Sequence, residues 1–155
     1  MMSFIYQIRE LQNGGEFVVL LFLAAWGNDT LAYCTGMLIG KHKMSPILSP
    51  KKSIEGLVGG IVGAAILGAL YGLYLNTYIR FSFNPVTMFP IVCGLSGAVS
   101  VIGDLAASAI KRDSGIKDYG TLIPGHGGIL DRFDSIIFIA PVIYYLTVMI
   151  SGGAI

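Results

Sequence analysis

The sequence predicts an all-α membrane protein, a polytopic bundle of about four transmembrane helices with its long loops on one side of the membrane. Hydrophobic residues make up 54% of the 155 residues and charged residues 12%, whereas soluble domains carry roughly 25% charged residues. Four segments are apolar over about 20 residues, the length that crosses a bilayer. The length of the chain predicts a single membrane-embedded domain, residues 1–155, and its net charge of +1 argues against a nucleic-acid partner.

The four predicted spans are helices, because inside the hydrocarbon layer each backbone polar group must find its partner within its own segment. The second span is rich in glycines at four-residue spacings, including Gly56, Gly60, Gly68 and Gly72. Such spacing lets helix backbones approach closely, so we expect this span to pack against its neighbours. The predicted spans are residues 17–39, 54–75, 86–110 and 133–152.

Basic residues predict the orientation of the bundle, because short loops rich in Lys and Arg stay in the cytoplasm. Four lysines lie in the first loop, at 40–53, and four Lys or Arg residues lie in the third loop, at 111–132. Only Arg80 lies in the middle loop and only Arg9 precedes the first span. We therefore expect a multi-pass protein of the cytoplasmic membrane, with both long loops inside and both termini outside.

Two carboxylates lie within predicted spans, where a charge costs about 2.5 to 3.5 kcal/mol on insertion scales. Asp29 is in the first span, and it either lines a polar site or pairs with a basic residue of another helix. Asp104 is in the third span, and Ser108 and Lys111 follow it at four and seven residues, on the same helical face. Lys111 and Arg112 could instead be ordinary cations at a helix end. Cys34 and Cys93 we interpret as small core residues.

The segment 111–134 holds eight of the chain's 19 charged residues and one of its two histidines. Three glycines surround His126, so the backbone can turn N–H groups toward an anion. Cations and carboxylates occur together there, which indicates a divalent metal between carboxylate and phosphate, as in nucleotidyl transfer. Asp131 could instead cap the fourth span.

The first loop supplies a second cationic group, since Lys51 and Lys52 precede Ser53 and Glu55. Positive-inside topology explains such lysines equally well. Lysines near a membrane can also hold an anionic lipid headgroup. His42 we interpret as a solvated loop residue.

These residues resemble the signature of the phosphatidate cytidylyltransferases, also called CDP-diacylglycerol synthases. That signature runs Ser, two residues, Lys-Arg, then Lys-Asp, then Pro-Gly-His-Gly-Gly and Asp-Arg-x-Asp. The stretches 28–43 and 49–56 are similar to the family as well. The matching positions are Ser108, Lys111, Arg112, Lys117, Asp118, Pro124, Gly125, His126, Gly127, Gly128, Asp131, Arg132 and Asp134.

The resemblance implies transfer of a cytidylyl group from CTP to phosphatidate, giving CDP-diacylglycerol and pyrophosphate. It implies a requirement for Mg²⁺, with room for a second cation, and Asp104 and Asp131 as the metal carboxylates. The oligomeric state is left open, and a homodimer is possible. The implied catalytic residues are Lys111, Arg112, Lys117, His126, Asp131, Arg132 and Asp134. The residues expected to bind substrate are Asp29, Lys51, Lys52, Ser108, Gly127 and Gly128.

The sequence departs from the family in two respects. Members are usually much longer, with several spans before the first span of this chain, so we expect those amino-terminal spans to have no counterpart here. Ala107 also stands where the family often has a glutamate. Alternatives remain: CTP-dependent transfer to an ether lipid or a polyprenol, an inactive membrane subunit, and ion transport through Asp29 and Asp104.

Overall fold

A computed structural model describes residues 3–45, 49–113, 115 and 130–150, with the side chains of 45, 49–51 and 130–134 outside that description. The described chain is a helical bundle with one small hairpin at one end. Its elements are α1 Ser3–Glu10, α2 Gly14–Ile39, β1 Lys43–Ser45, β2 Ser49–Ser53, α3 Ile54–Tyr78, α4 Pro85–Asp113 and α5 Leu130–Ile150.

The predicted fold class is confirmed, because α2, α3 and α4 are each long and apolar enough to cross a membrane. Their bounds lie within three residues of the predicted ones. The fourth predicted span corresponds to α5, whose described apolar part, Ser135–Ile150, is shorter than the other three. At 1.5 Å per residue this apolar part is about 24 Å long, somewhat less than the hydrocarbon layer of about 30 Å.

Helix α3 packs between α2 and α4, and its glycines make both contacts close, as the spacing predicted. A Cβ atom at Gly60 would lie 2.8 Å from the Cβ atom of Ala32 on α2. A Cβ atom at Gly72 would lie 2.5 Å from the carbonyl oxygen of Pro85 on α4. Since neither position has room for a side chain, these glycines set the distances between the three helices.

Replacing Gly72 with Ala is therefore expected to destabilise the bundle by about 1 to 3 kcal/mol, the usual range for overpacking. The matched control is Gly94→Ala on α4, where a Cβ atom would meet only the Cβ atom of Ala65, at 3.8 Å. Both substitutions remove a glycine from a helix interior, so helix propensity changes equally. Thermal unfolding in detergent should show a lower Tm for Gly72→Ala alone; equal Tm values would contradict the close approach.

Two elements were not predicted. The loop at 40–53 contains the antiparallel hairpin β1–β2, with Lys43 opposite Ser53 and Ser45 opposite Ser49. The short helix α1 packs against α2 and α5 through the buried side chain of Ile8. Neither element is long enough to give a clear hydrophobic period, so sequence patterning could not find them.

The end of the bundle near α1 is closed by aromatic side chains. Phe89 is almost fully buried and its ring lies about 6 Å from the rings of Phe17, Phe81 and Tyr71. Such ring pairs stabilise the packing beyond the apolar area that they bury. Cys93 is buried in this core as predicted, whereas the core prediction for Cys34 is wrong, because α2 presents it on its exposed side.

Candidate functional site

A cavity of about 630 Å³ lies at the other end of the bundle, where α2 ends, α3 begins and the hairpin joins them. Its wall combines charged side chains with apolar ones. The described lining residues are Asp29, Ala32, Tyr33, Gly36, Met37, Lys43, Met44, Lys52, Ser53, Gly56, Leu57, Val101 and Asp104.

The cavity reaches well into the bundle. Asp29 lies ten residues before the end of α2, which is about 15 Å along the helix axis. Asp104 lies nine residues before the end of α4, at about the same depth. A polar ligand that reaches these carboxylates must therefore enter the bundle by about three helical turns from the ends of α2 and α4.

Lys52 and Asp104 form an ion pair across the cavity, between the Lys52 ammonium and Oδ2 of Asp104. The two side chains are only 28% and 26% exposed, so the pair is partly withdrawn from solvent. A charge at this depth needs a partner of opposite sign. Asp104 therefore has a cation in this structure, and the cation comes from the hairpin rather than from the end of its own helix.

The Asp29 carboxylate opens onto the same cavity and receives hydrogen bonds from two neutral groups. The Asn28 amide nitrogen donates to Oδ1 at 3.5 Å, and the Ser135 hydroxyl of α5 donates to Oδ2 at 3.3 Å. The described contacts of Asp29 thus favour the site-lining interpretation over pairing with a basic residue. Asp29 and Asp104 come from different helices and face one volume.

The hairpin holds Lys52 over the cavity through its attachment to α3. Ser53 caps α3, because its hydroxyl accepts a hydrogen bond from the backbone N–H of Gly56 at 3.1 Å. Glycines at 36, 40 and 56 leave the space that the Ser53 side chain fills. His42 is exposed as predicted, but it is also paired: its Nδ1 lies 2.6 Å from Oε1 of Glu55. This contact ties the start of the hairpin to the first turn of α3.

Other predicted site residues lie on the last turns of α4. Ser108 and Lys111 are partly buried and continue the helical face of Asp104, whereas Arg112 is exposed. None of the three lines the described part of the cavity. Lys111 and Arg112 occupy the last turn of α4, so the helix-end interpretation of these two cations also fits.

The remaining predicted site residues lie outside the described part of the chain and stay predictions. Lys117, His126, Gly127 and Gly128 belong to 116–129. Asp131, Arg132 and Asp134 lie in the first turns of α5, but their side chains, like that of Lys51 in β2, are outside the description.

Sequence reasoning missed four contributors to the site. Asn28 and Ser135 are buried and contact Asp29, while Lys43 and Met44 of the hairpin line the cavity. Asn28 directly precedes Asp29, and Ser135 directly follows the Asp-Arg-x-Asp motif. Their position next to these residues in the sequence could have indicated a place in the site. Tyr33, Met37 and Leu57 form the apolar wall of the cavity. In the sequence they look like any other apolar residues of a membrane span, so they could not be predicted as site residues.

These features define an integral membrane protein with a charged cavity at one end of its helix bundle. The sequence matches the cytidylyltransferase family over residues 1–150, and the chain belongs to that family. A phosphatidate cytidylyltransferase of Staphylococcus saprophyticus is 37% identical over 148 residues, which cover 96% of this chain and 55% of that protein. A phosphatidate cytidylyltransferase of Staphylococcus aureus strain COL is 40% identical over 145 residues, covering 94% of this chain and 53% of the relative. The chain thus spans about half the length of the curated relatives it matches.

Proposed function

We propose that this chain transfers the cytidylyl group of CTP to phosphatidate, giving CDP-diacylglycerol and pyrophosphate for phospholipid synthesis. The observation that carries the proposal is the cavity, in which two carboxylates and two lysines lie beside an apolar wall. A nucleotide and a lipid phosphate are both polyanions, and the lipid must keep its tails in the bilayer. Membership of the cytidylyltransferase family supports the nucleotidyl chemistry.

The donor set fits Mg²⁺. This ion is usually held by one or two carboxylates, with waters and substrate phosphates completing its octahedron. Asp104 and Asp29 supply carboxylates to one cavity. The described ranges contain no cluster of three or more His, Cys, Asp or Glu side chains, so these residues do not form a closed structural metal site. We propose that Asp104, with Asp131 of α5, holds Mg²⁺, and that a second cation could use the same carboxylate-rich volume.

Bound Mg²⁺ would neutralise the phosphates where charge develops during transfer. Lys52 and Lys43 face the cavity and supply the positive charge that draws both anions in. An oxygen of the lipid phosphate attacks the α-phosphorus of CTP in line, that bond forms, and the bond to the pyrophosphate oxygen breaks. The attacking oxygen is already ionised, so no general base is needed. The role of the protein is to position two anions and to stabilise the charge they share.

The apolar wall of the cavity offers a place for the tails of the lipid substrate. Tyr33 and Met37 line the cavity and are 62% and 67% exposed, so the cavity has an open apolar side. A lipid whose phosphate binds Lys52 would have its tails beside these side chains. We propose that this end of the bundle faces the cytoplasm, where CTP is available and where the basic loops are expected to remain. The proposal includes no nucleic-acid partner and holds equally for a monomer and a homodimer.

The position of a label in CTP tests the reaction type. Cytidylyl transfer carries radioactive phosphorus from the α position of CTP into the lipid, and none from the γ position. A CTP-dependent polyprenol kinase gives the reverse result. Comparing phosphatidate with an ether-lipid phosphate then separates acyl from ether tails. An inactive subunit would transfer neither label, and CTP with Mg²⁺ would leave its Tm unchanged.

A further inference from the structure

Asp29 stands out in the cavity because both of its carboxylate oxygens are held by side chains. Oδ1 accepts from the Asn28 amide and Oδ2 accepts from the Ser135 hydroxyl. The two donors are 1% and 2% exposed, so solvent does not compete for either bond from the donor side. At 3.5 and 3.3 Å both bonds are longer than the usual protein hydrogen bond, so they orient the carboxylate rather than hold it tightly.

Asn28 is itself fixed by the helix packing. Its Oδ1 atom lies 2.9 Å from the position that a Cβ atom would take at Gly60 of α3, and 2.9 Å from the equivalent position at Gly97 of α4. The amide therefore fills the space that two glycines leave between three helices. An inverted amide would turn its oxygen toward the Asp29 carboxylate, which electrostatic repulsion opposes, so the N–H₂ group must face Asp29.

Ser135 connects Asp29 to a different part of the molecule. It is the residue directly after Asp134, at the end of the Asp-Arg-x-Asp motif, and it lies on α5. Its bond to Asp29 joins α5 to α2 over a sequence separation of 106 residues. This bond adds to the core packing that sets the rotation of α5 relative to α2, and the motif lies only one turn earlier on the same helix.

We propose that Ser135 is a positioning residue, which with Asn28 orients the Asp29 carboxylate in the cavity. The proposal rests on the proposed function and adds to it a residue that touches neither substrate nor metal. Ser135→Ala should lower kcat by about tenfold, because small displacements of reacting groups have large effects on rate. Ser135→Thr, which keeps the hydroxyl, should recover most of the rate.

Two serines of α4 provide matched controls. Ser96 and Ser100 are fully buried, like Ser135, but their hydroxyls have no hydrogen-bond partner among the described residues. Removing an unsatisfied buried hydroxyl is close to neutral or stabilising. Ser100→Ala should therefore leave kcat within about twofold of the wild-type value.

A double-mutant cycle separates positioning from a general effect on folding. If Ser135 acts through Asp29, Ser135→Ala should slow the wild type about tenfold but should not slow Asp29→Asn further. If Ser135 only supports the helix packing, the same factor should appear in both backgrounds, and that result would overturn the proposal.

The wild type, the two single variants and the double variant should also be unfolded thermally in detergent. Their Tm values give a readout that does not depend on turnover. Positioning predicts that the loss of Tm from Ser135→Ala is smaller in the Asp29→Asn background than in the wild type. Additive Tm losses would contradict the contact whether or not the chain is active. Coupled Tm values in a chain that forms no product would uphold the contact and refute the proposed function instead.

Discussion

Asp104→Asn is expected to reduce cytidylyl transfer by about a hundredfold to a thousandfold, the scale on which removing a key charge-stabilising group slows an enzyme. Asparagine keeps the shape of the side chain but removes the charge that holds Lys52 and that would hold Mg²⁺. Initial rates with saturating CTP and phosphatidate measure this effect, and size-exclusion elution in detergent shows whether the bundle is still folded.

The control for this substitution is Asp113→Asn on the same helix. Asp113 is exposed at the end of α4, nine residues beyond Asp104, and is not among the described lining residues of the cavity. It should retain nearly the wild-type rate. Comparable losses in both variants would mean that overall charge, rather than the site at Asp104, governs the rate.

Lys52→Met should have two effects of opposite sign. Methionine keeps the length of the apolar stem but removes the ammonium, so the cavity loses charge that attracts phosphates, and we expect KM for CTP to rise about tenfold. The Asp104 carboxylate also loses its counter-ion. In the absence of nucleotide, Mg²⁺ should therefore bind more tightly, by about tenfold, because no ammonium competes for the carboxylate.

Titration calorimetry with Mg²⁺ alone and steady-state kinetics with CTP measure the two effects separately. Lys41→Met is the matched control, since Lys41 is exposed at the end of α2 and is not among the described lining residues of the cavity. It should change neither quantity by more than about twofold. Weaker Mg²⁺ binding by Lys52→Met would contradict the competition between ammonium and metal for Asp104.

The membrane bundle could be predicted from the sequence because the length of an apolar segment and the spacing of its glycines can each be read from that segment alone. Bilayer thickness selects spans of about 20 residues, and the spacing of the glycines predicted the close packing of α3 before any contact was known. The hairpin could not be predicted, because its strands of three and five residues are too short for a period and carry the same lysines as any cytoplasmic loop.

The site could be predicted only in part, because its residues are brought together by packing between distant segments. The depth of Asp29 and Asp104 marked each as functional. Their approach to Lys52 depends on how the hairpin returns to α3, and the bonds of Asn28 and Ser135 depend on how α2, α4 and α5 pack. Asn28 and Ser135 are ordinary residue types for helix interfaces in membranes, so residue type alone does not single them out.

The reaction proposed for this cavity is cytidylyl transfer to a lipid phosphate. The most direct measurement uses the purified chain in phosphatidate-containing vesicles, with Mg²⁺ and CTP labelled at the α-phosphorus. We expect labelled lipid and an equal amount of released pyrophosphate, both lost in Asp104→Asn. A folded wild-type chain that releases no pyrophosphate and labels no lipid would contradict the claim.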